Sequence, residues 1–150
     1  MKIKIPPVLL MLLIAIMMYL LAPVVPAINS YQHITIYLSL AVLAVGLIIS
    51  LLAVSQFRRV DTTVDPLHIE NASSLVSSGI YGFSRNPMYL SFAIILFALV
   101  VYLRSPLLLS GVAFFVVYIT KYQIHPEEQF MRYKFGEQYE NYARKVRRWL

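Results

Sequence analysis

Two short polar stretches interrupt the apolar second half of this sequence, and both carry side chains able to bind or orient a ligand. The first, residues 79–89, contains Arg85 and Asn86 between two tyrosines, Tyr81 and Tyr89, at the start of a long apolar run. The second, residues 125–128, reads His-Pro-Glu-Glu and follows the last apolar run. We predict that the two stretches meet at one membrane surface and form an active site.

The adjacent acids Glu127 and Glu128 carry the most informative chemistry. A carboxylate next to an apolar span is costly unless a cation or a hydrogen-bond donor accompanies it. Because neighbouring residues on an α-helix point about 100° apart, one acid can face inward while the other faces water. An inward carboxylate suits a sulfonium, an ammonium group or a pair of ribose hydroxyls.

Both stretches also have a purely structural interpretation. Asn is a strong helix N-cap and Pro is favoured at the first helical position, so Asn86-Pro87 is also typical of a helix start. Arg85 would then serve as an anchor at the membrane surface. Likewise, Pro126 could begin a helix whose first turn carries the two acids, where the helix dipole favours them. The residues alone leave these alternatives open.

Several other chemistries find no support in the sequence. There is no cysteine, which excludes disulfides, a thiolate nucleophile and cysteine-ligated metals. The three histidines, His33, His68 and His125, are far apart and lack metal-ligand spacing, so no metal site is predicted. No Gly-x-Gly-x-x-Gly follows a predicted strand, there is no phosphate-binding loop, and no Ser-His-Asp arrangement is suggested.

The composition is that of a membrane protein. Of the 150 residues, 59% are hydrophobic and 13% are charged, whereas about a quarter of residues are charged in soluble domains. No Asp, Glu, Lys or Arg occurs in residues 5–57. The net charge of +6 suits nucleic acid or an anionic lipid surface, and the apolar content favours the lipid surface. We predict a single membrane domain over residues 1–150.

The apolar runs and their breaks predict an all-α, polytopic membrane protein with about four transmembrane helices and a C-terminal amphipathic cytoplasmic helix. The predicted parts are two N-terminal helices in residues 1–57, a cytoplasmic connection at 58–86, a helical hairpin at 87–124 and a cytoplasmic C-terminal segment at 125–150. Within them, the four spans cover residues 7–22 (extending to 26), 34–57, 87–103 and 107–119 (running on to 122). Arg104-Ser105-Pro106 is predicted to break the hairpin. The first span also resembles a signal peptide, but we expect it to be retained.

The distribution of charge predicts the orientation. With the N-terminus in the cytoplasm, every Lys and Arg except Arg104 lies on the cytoplasmic side, which satisfies the positive-inside rule. All seven acids then lie there too. We therefore predict that both termini and the active site are at the cytoplasmic face, where a soluble cosubstrate can reach them.

The C-terminal segment has a helical pattern of its own. Phe135, Tyr139, Tyr142, Val146 and Trp149 recur at helical spacing and predict one aromatic face, with basic residues mainly off that face. Such a helix suits the lipid headgroup layer, or its stripe packs on the protein's own loops. Gly136 is predicted to break the chain before this helix.

Taken together, the motifs of the second half resemble a family of membrane methyltransferases. Leu75-Val76-Ser77-Ser78-Gly79-Ile80-Tyr81, Arg85-Asn86-Pro87-Met88-Tyr89, Glu127-Glu128 and Phe135-Gly136-Glu137-Gln138-Tyr139 with Tyr142 are similar in order and spacing to blocks of the isoprenylcysteine carboxyl methyltransferase family. The wider group includes membrane phospholipid N-methyltransferases. The resemblance covers about residues 65–150, and several blocks in order are more specific than any single motif.

The resemblance implies a site for S-adenosylmethionine at the cytoplasmic face, built without a Rossmann domain and enclosed by the hairpin and the C-terminal segment. The implied cofactor contacts are Leu75, Val76, Tyr81, Asn86, Pro87, Tyr89 and Glu127. The implied catalytic or supporting residues are Arg85, Glu128 and Arg144. A lipophilic small-molecule acceptor would enter sideways from the bilayer, among membrane lipids. Neither a metal nor nucleic acid is expected to take part.

Two acceptor types are compatible with this site. A carboxylate acceptor needs no proton removed, and Arg85 or Arg144 could orient it. An amine acceptor, as in phospholipid (ethanolamine) N-methylation, must first lose a proton, and Glu128 or a tyrosine could assist. A non-catalytic membrane scaffold or binding protein is the third alternative.

The chain departs from the family pattern at three positions. Asn86 stands where the family has histidine, and Asn cannot titrate. Ser91 stands where the family has glycine, at a predicted close helix contact. Gln123 stands where the family has the arginine that would meet a prenylcysteine carboxylate. The resemblance therefore implies the cofactor site more strongly than a prenylcysteine acceptor.

Overall fold

The computed structural model describes residues 5–28, 32–59 and 75–150, and within these ranges the regular structure is helical with no strand. The described ranges contain six α-helices: α1 Pro7–Leu21, α2 Gln32–Arg59, α3 Pro87–Leu103, α4 Leu109–Ile119, α5 His125–Phe135 and α6 Glu137–Lys145. Short 3-10 helices cover Ala22–Val24, Gly79–Gly82 and Pro106–Leu108, and a π-helix covers Thr120–Ile124. Most of the predicted connection at 58–86 (residues 60–74, with Asp61, Asp65 and Glu70) lies outside the described residues.

Hydropathy and length make this an integral membrane protein, as predicted. The helical segments Pro7–Val24, His33–Gln56 and Pro106–Phe135 are long and apolar enough to cross a bilayer, and Pro87–Leu103 is a shorter apolar helix. At 1.5 Å per residue, α3 is about 25 Å long, close to the thickness of the hydrocarbon core. Large apolar side chains such as Leu20, Tyr37 and Leu51 are exposed on the outer faces of α1 and α2, where lipid would surround them.

Helix α3 forms the centre of the bundle and contacts α1, α2 and α4. The core is apolar and includes Leu96, Phe115 and Ile119, which are almost completely buried. Helices α2 and α3 approach closely at Gly46, where a Cβ atom would lie 2.9 Å from Ile95 Cγ1 and 3.2 Å from the Ser91 carbonyl oxygen. A glycine on α2 thus permits the close helix contact at the position where α3 carries Ser91.

The predicted break in the hairpin is confirmed. Arg104 ends α3 in a left-handed conformation with φ of 56°, a common way to terminate a helix. The Ser105 hydroxyl donates to the Pro26 carbonyl at 2.7 Å, and the Ile28 amide donates to the Arg104 carbonyl at 2.8 Å. These bonds tie the hairpin turn to the chain that follows α1.

The fourth predicted span is not followed by a break, because its helix continues past residue 122 into α5. Helix α5 begins at His125 with Pro126 and the two acids in its first turn, as the structural interpretation has it. Helices α4 and α5 are joined without a break by the π-helix, and the residues flanking Pro126 keep helical backbone angles. Proline inside a helix lacks an amide and its ring clashes with the carbonyl four residues earlier. The π-helix shifts the register of the backbone hydrogen bonds. The His125 amide donates to the Thr120 carbonyl, which lies five residues earlier in the chain instead of four. The change from apolar to polar sequence is therefore not a break in the backbone.

The C-terminal pattern was predicted correctly at its start and wrongly at its end. Gly136, with φ of 50° and ψ of −125°, separates α5 from α6 in a conformation that favours glycine. Helix α6 ends at Lys145 and Val146 is extended, so Trp149 is not on the helical face. Tyr139, Tyr142 and Val146 are buried together against Leu75, Met131 and Phe135. The aromatic stripe thus packs on the protein itself.

Candidate active site

Arg85 lies where the two predicted polar stretches meet. The short 3-10 helix Gly79–Gly82 and the turn after it bring Arg85 to the entrance of α3. One guanidinium nitrogen, Nη1, donates to the carbonyls of Ala143 at 2.8 Å and Val146 at 2.9 Å. The other, Nη2, donates to Glu128 at 2.8 Å. The cation therefore satisfies carbonyls at the end of α6, where the helix dipole favours positive charge.

The surface-anchor interpretation of Arg85 was wrong, because only 11% of its side chain is exposed. Its Nε atom is buried with no hydrogen-bond acceptor among the described residues. A buried donor without an acceptor is costly, so an oxygen atom of a bound ligand would be stabilised there.

Glu128 is a buried carboxylate that forms two ion pairs. It is 4% exposed and binds two guanidinium groups, since Arg148 donates from Nε at 2.9 Å and from Nη2 at 2.8 Å in addition to the contact from Arg85. Such a fork-shaped contact is the strong geometry for an arginine and a carboxylate. The hydrogen bond from Arg148 to Glu128 raises the pKa of Arg148. Glu128 therefore joins α5 to the start of α3 and to the C-terminal segment.

Glu127 has different surroundings. It is half-buried, and one of its carboxylate oxygens accepts hydrogen bonds from the Tyr89 hydroxyl at 2.7 Å and from the side-chain amide of Gln123. Gln123 belongs to the π-helix and is buried. The two adjacent acids thus contact different elements, and both contact the protein rather than one of them facing only water.

Asn86 is the N-cap residue of α3 by position, as the structural interpretation predicts, but its side chain does not act as a cap. No side-chain hydrogen bond caps α3, and the Asn86 side-chain amide instead donates to the Arg148 carbonyl at 3.0 Å. Ser84 accepts a hydrogen bond from the Asn86 backbone amide at 3.1 Å. Pro87 does occupy the first position of α3, as predicted. Asn86 therefore joins the start of α3 to the C-terminal segment.

The tyrosines near these contacts are held neutral. Burial raises the pKa of Tyr81, and burial likewise raises the pKa of Tyr142. Burial also raises the pKa of Tyr139 to about 12. The Tyr142 hydroxyl donates to the Tyr81 carbonyl at 2.7 Å, which joins α6 to the 3-10 helix. The raised pKa values keep these three hydroxyls protonated, so they are unsuited to act as bases.

Most of the sequence-predicted site residues come together in the structure. Arg85, Asn86 and Glu128 share one network, and Tyr89, one turn further along α3, contacts Glu127, the neighbour of Glu128 in α5. Val76 and Tyr81 pack with Ala53 of α2, whereas Leu75 packs with the aromatic cluster of α6. Arg144 is exposed on α6 and is not among the residues of this network.

Two contributions were missed from the sequence. Arg148 was considered only as part of the basic flank, and Gln123 only as a departure from a family pattern. A carboxylate near the membrane needs a cation, and this requirement was the available signal for Arg148. It did not single out Arg148, because several basic residues follow Glu128 in the chain. Over the ranges that the structure describes, no group of three or more His, Cys, Asp or Glu residues could hold a metal ion.

Comparison with known proteins identifies the family. The sequence profile of the phospholipid methyltransferase family matches residues 34–138. Probable protein-S-isoprenylcysteine O-methyltransferases of Oryza sativa, subspecies indica and japonica, are each 36% identical over 124 residues, which is 81% of this chain and 63% of theirs. The chain therefore spans less than two thirds of the length of these rice relatives.

A shorter relative covers part of the same region. An uncharacterized protein of Haemophilus influenzae is 44% identical over 63 residues, which is 42% of this chain and the whole of that protein. No solved structure is significantly similar to the chain. The family profile covers more than half of the sequence and agrees with the resemblance that the motifs show. The names of the matching family and relatives favour a membrane methyltransferase over a non-catalytic scaffold. The chain belongs to the phospholipid methyltransferase family.

Proposed function

We propose that this chain is an integral membrane methyltransferase that uses S-adenosylmethionine to methylate a small lipophilic acceptor, in the manner of the isoprenylcysteine methyltransferases. One observation carries the proposal. In a member of this family, the two adjacent acids of α5 are hydrogen-bonded to the Arg-Asn-Pro-x-Tyr stretch at the start of α3. This network supports a polar site at the membrane surface, which we assign to the cytoplasmic face together with both termini.

The side chains present suit the cofactor. S-adenosylmethionine carries an activated methyl group on a sulfonium, together with an amino acid and a ribose. Glu127 is half-buried and offers a carboxylate, which suits the sulfonium, the ammonium group or the ribose hydroxyls. The unpartnered Nε–H of Arg85 suits a ligand oxygen. Leu75, Val76, Tyr81, Asn86, Pro87 and Tyr89 complete the proposed cofactor surface.

We assign different roles to the two acids. Tyr89 and Gln123 donate to the Glu127 carboxylate, which fixes its orientation for binding. Glu128 binds Arg85 and Arg148 and acts as a positioning residue that holds the C-terminal segment against the site. Methyl transfer from a sulfonium depends mainly on alignment of the reacting atoms, so a rigidly held site is the main contribution required of the protein.

The proton chemistry favours an acceptor that needs no strong base. Glu128 is neutralised by two guanidinium groups, and burial raises the pKa of Tyr81. Neither group is therefore well placed to remove a proton from an amine. An acceptor carboxylate needs no such proton removal. Arg144 is exposed on α6, and we propose that it contacts this carboxylate.

A phospholipid amine is the second candidate acceptor, because the matching family is described as phospholipid methyltransferase. The position of Gln123 also favours it. Gln123 is neutral and donates to Glu127, so it adds no cation that would attract a carboxylate acceptor. Product analysis with prenylcysteine and with phosphatidylethanolamine as acceptors distinguishes the two candidates.

Calorimetric titration tests the cofactor assignment. S-adenosylhomocysteine and S-adenosylmethionine are titrated into detergent-purified protein, with and without lipid extract. We expect binding in the micromolar range that Glu127→Gln weakens about tenfold or more, since a hydrogen bond to a charged group contributes about 1.5–3 kcal/mol. Glu137→Gln removes an exposed acid of α6 and serves as the matched control. Folded wild-type protein that binds neither compound, even with lipid extract, would contradict the assignment.

A further inference from the structure

A group of exposed side chains outside the proposed site combines apolar and basic character. Phe83 is 76% exposed and Leu150 is 73% exposed, which is unusual for large apolar residues outside the membrane-spanning helices. Lys145 and Arg147, which shortly precede Leu150 in the chain, are exposed as well. We call these four residues the basic apolar patch.

Hydrogen bonds to the backbone carbonyls of Arg147 and Arg148 bring the two parts of this patch together. The Arg85 amide donates to the Arg147 carbonyl at 3.0 Å. The Ser84 hydroxyl and the Asn86 side-chain amide both donate to the Arg148 carbonyl, at 3.4 and 3.0 Å. The turn that carries Phe83 therefore runs beside the segment that carries Arg147 and Leu150.

The patch lies at the level where the bundle enters the membrane. Pro87, four residues after Phe83, is the first residue of the apolar helix α3. On the other side, the Trp149 indole donates to the Thr120 hydroxyl at 3.2 Å, directly after the last residue of the apolar helix α4. A surface beside two span ends lies in the headgroup layer, where basic and apolar side chains together are favoured.

Within the described ranges, no acid balances the charge of the patch. Glu128 is already occupied by Arg85 and Arg148, and Glu140 pairs with Arg132. Glu137 is at the opposite end of α6 from Lys145. Lys145 and Arg147 therefore present positive charge to whatever covers the patch.

We propose that the basic apolar patch binds the anionic phospholipid headgroups of the bilayer that contains the protein. Phe83 and Leu150 insert at the headgroup boundary, and Lys145 and Arg147 contact lipid phosphates. Anionic lipid attracts basic residues held near its surface, so the lipids beside the patch are enriched in acidic headgroups. This interaction is independent of the methyltransferase activity proposed above.

A single fluorescent probe tests this proposal, because the chain has no native cysteine. The Phe83→Cys variant is labelled with a nitrobenzoxadiazole fluorophore and reconstituted in mixed phosphatidylcholine and phosphatidylglycerol bilayers. A nitroxide quencher is placed on either the phosphatidylcholine or the phosphatidylglycerol, with the overall composition unchanged. We expect nitroxide on phosphatidylglycerol to quench the fluorophore at least about twofold more strongly than nitroxide on phosphatidylcholine. This preference should fall at high salt, because salt screens surface charges.

Charge variants attribute the effect to the patch. Lys145→Gln combined with Arg147→Gln should remove the preference, whereas Arg104→Gln, at the far end of α3, should leave it unchanged. Absence of quenching by either lipid would place the patch in water or against a protein, and would overturn the proposal. Equal quenching by the two lipids, or a preference that survives in the double variant, would overturn it as well. Thermal unfolding of each variant confirms that it is folded.

Discussion

The two adjacent acids of α5 occupy contrasting environments. Glu128 is 4% exposed and is shared between the guanidinium groups of Arg85 and Arg148. Glu127 is half-buried and accepts hydrogen bonds from the uncharged groups of Tyr89 and Gln123. Glu128 holds α5, the start of α3 and the C-terminal segment together, whereas the hydrogen bonds to Glu127 orient its carboxylate beside Tyr89. From this comparison we propose a structural role for Glu128 and a binding role for Glu127.

The largest expected effect is that of Glu128→Gln on stability. This change leaves two guanidinium groups without their carboxylate, and breaking a buried ion pair from one side is strongly destabilising. We expect the free energy of unfolding to fall by about 3 kcal/mol, at the low end of the range for buried pairs, because the Arg148 side chain is 34% exposed. Reversible unfolding in detergent measures it. Stability equal to that of Glu137→Gln would break the comparison.

Removal of Arg148 should have the next largest effect. Arg148→Ala takes away the fork-shaped contact with Glu128 but leaves Arg85 in place, so we expect a loss of about 2 kcal/mol. Arg148→Lys keeps the charge and should recover only part of this loss, because an ammonium cannot reproduce the two-point contact. Full recovery with lysine would show that charge alone matters.

Asn86→Asp distinguishes the contact found here from helix capping. Asp is about as good an N-cap as Asn, so a capping role predicts no loss of stability. In the structure the Asn86 amide donates to the Arg148 carbonyl, and a carboxylate in its place would face that carbonyl without a proton to share. We expect a loss of about 1 kcal/mol in the free energy of unfolding. An unchanged or higher stability would support the capping role.

Arg144→Ala should have the smallest effect on stability. Arg144 is exposed on α6, and surface changes of this kind usually alter stability by less than about 0.5 kcal/mol. The same unfolding measurement in detergent checks this. A loss comparable to that of Arg148→Ala would mean that Arg144 also holds the C-terminal segment.

The membrane spans could be predicted from the sequence because a bilayer imposes a length and an apolar composition on any helix that crosses it. The break at Arg104-Ser105-Pro106 was predictable for a local reason, since the sequence turns polar and proline resists helical continuation there. The continuity of α4 and α5 was not predictable in this way. Pro126 signals a break, and the π-helix that accommodates it has no comparable sequence signal.

The site was predictable in its residue types but not in its pairing. Glu128 required a cation, and the sequence offered several arginines. Arg85 precedes Glu128 in the chain, and Arg144, Arg147 and Arg148 follow it. Which guanidinium reaches it depends on where α6 ends, and α6 ends at Lys145, three residues before Arg148. For the same reason the partner of Asn86, a backbone carbonyl 62 residues away, could not be read from local sequence.

Two quantities measured on wild type, Glu127→Gln and Glu128→Gln test the division of roles between the acids most directly: the affinity for S-adenosylhomocysteine and the free energy of unfolding. We predict that Glu127→Gln weakens binding about tenfold or more and changes stability by less than about 1 kcal/mol, while Glu128→Gln mainly lowers stability. The opposite pattern would contradict the assignment: unfolding of Glu127→Gln, with wild-type affinity in the fraction that stays folded.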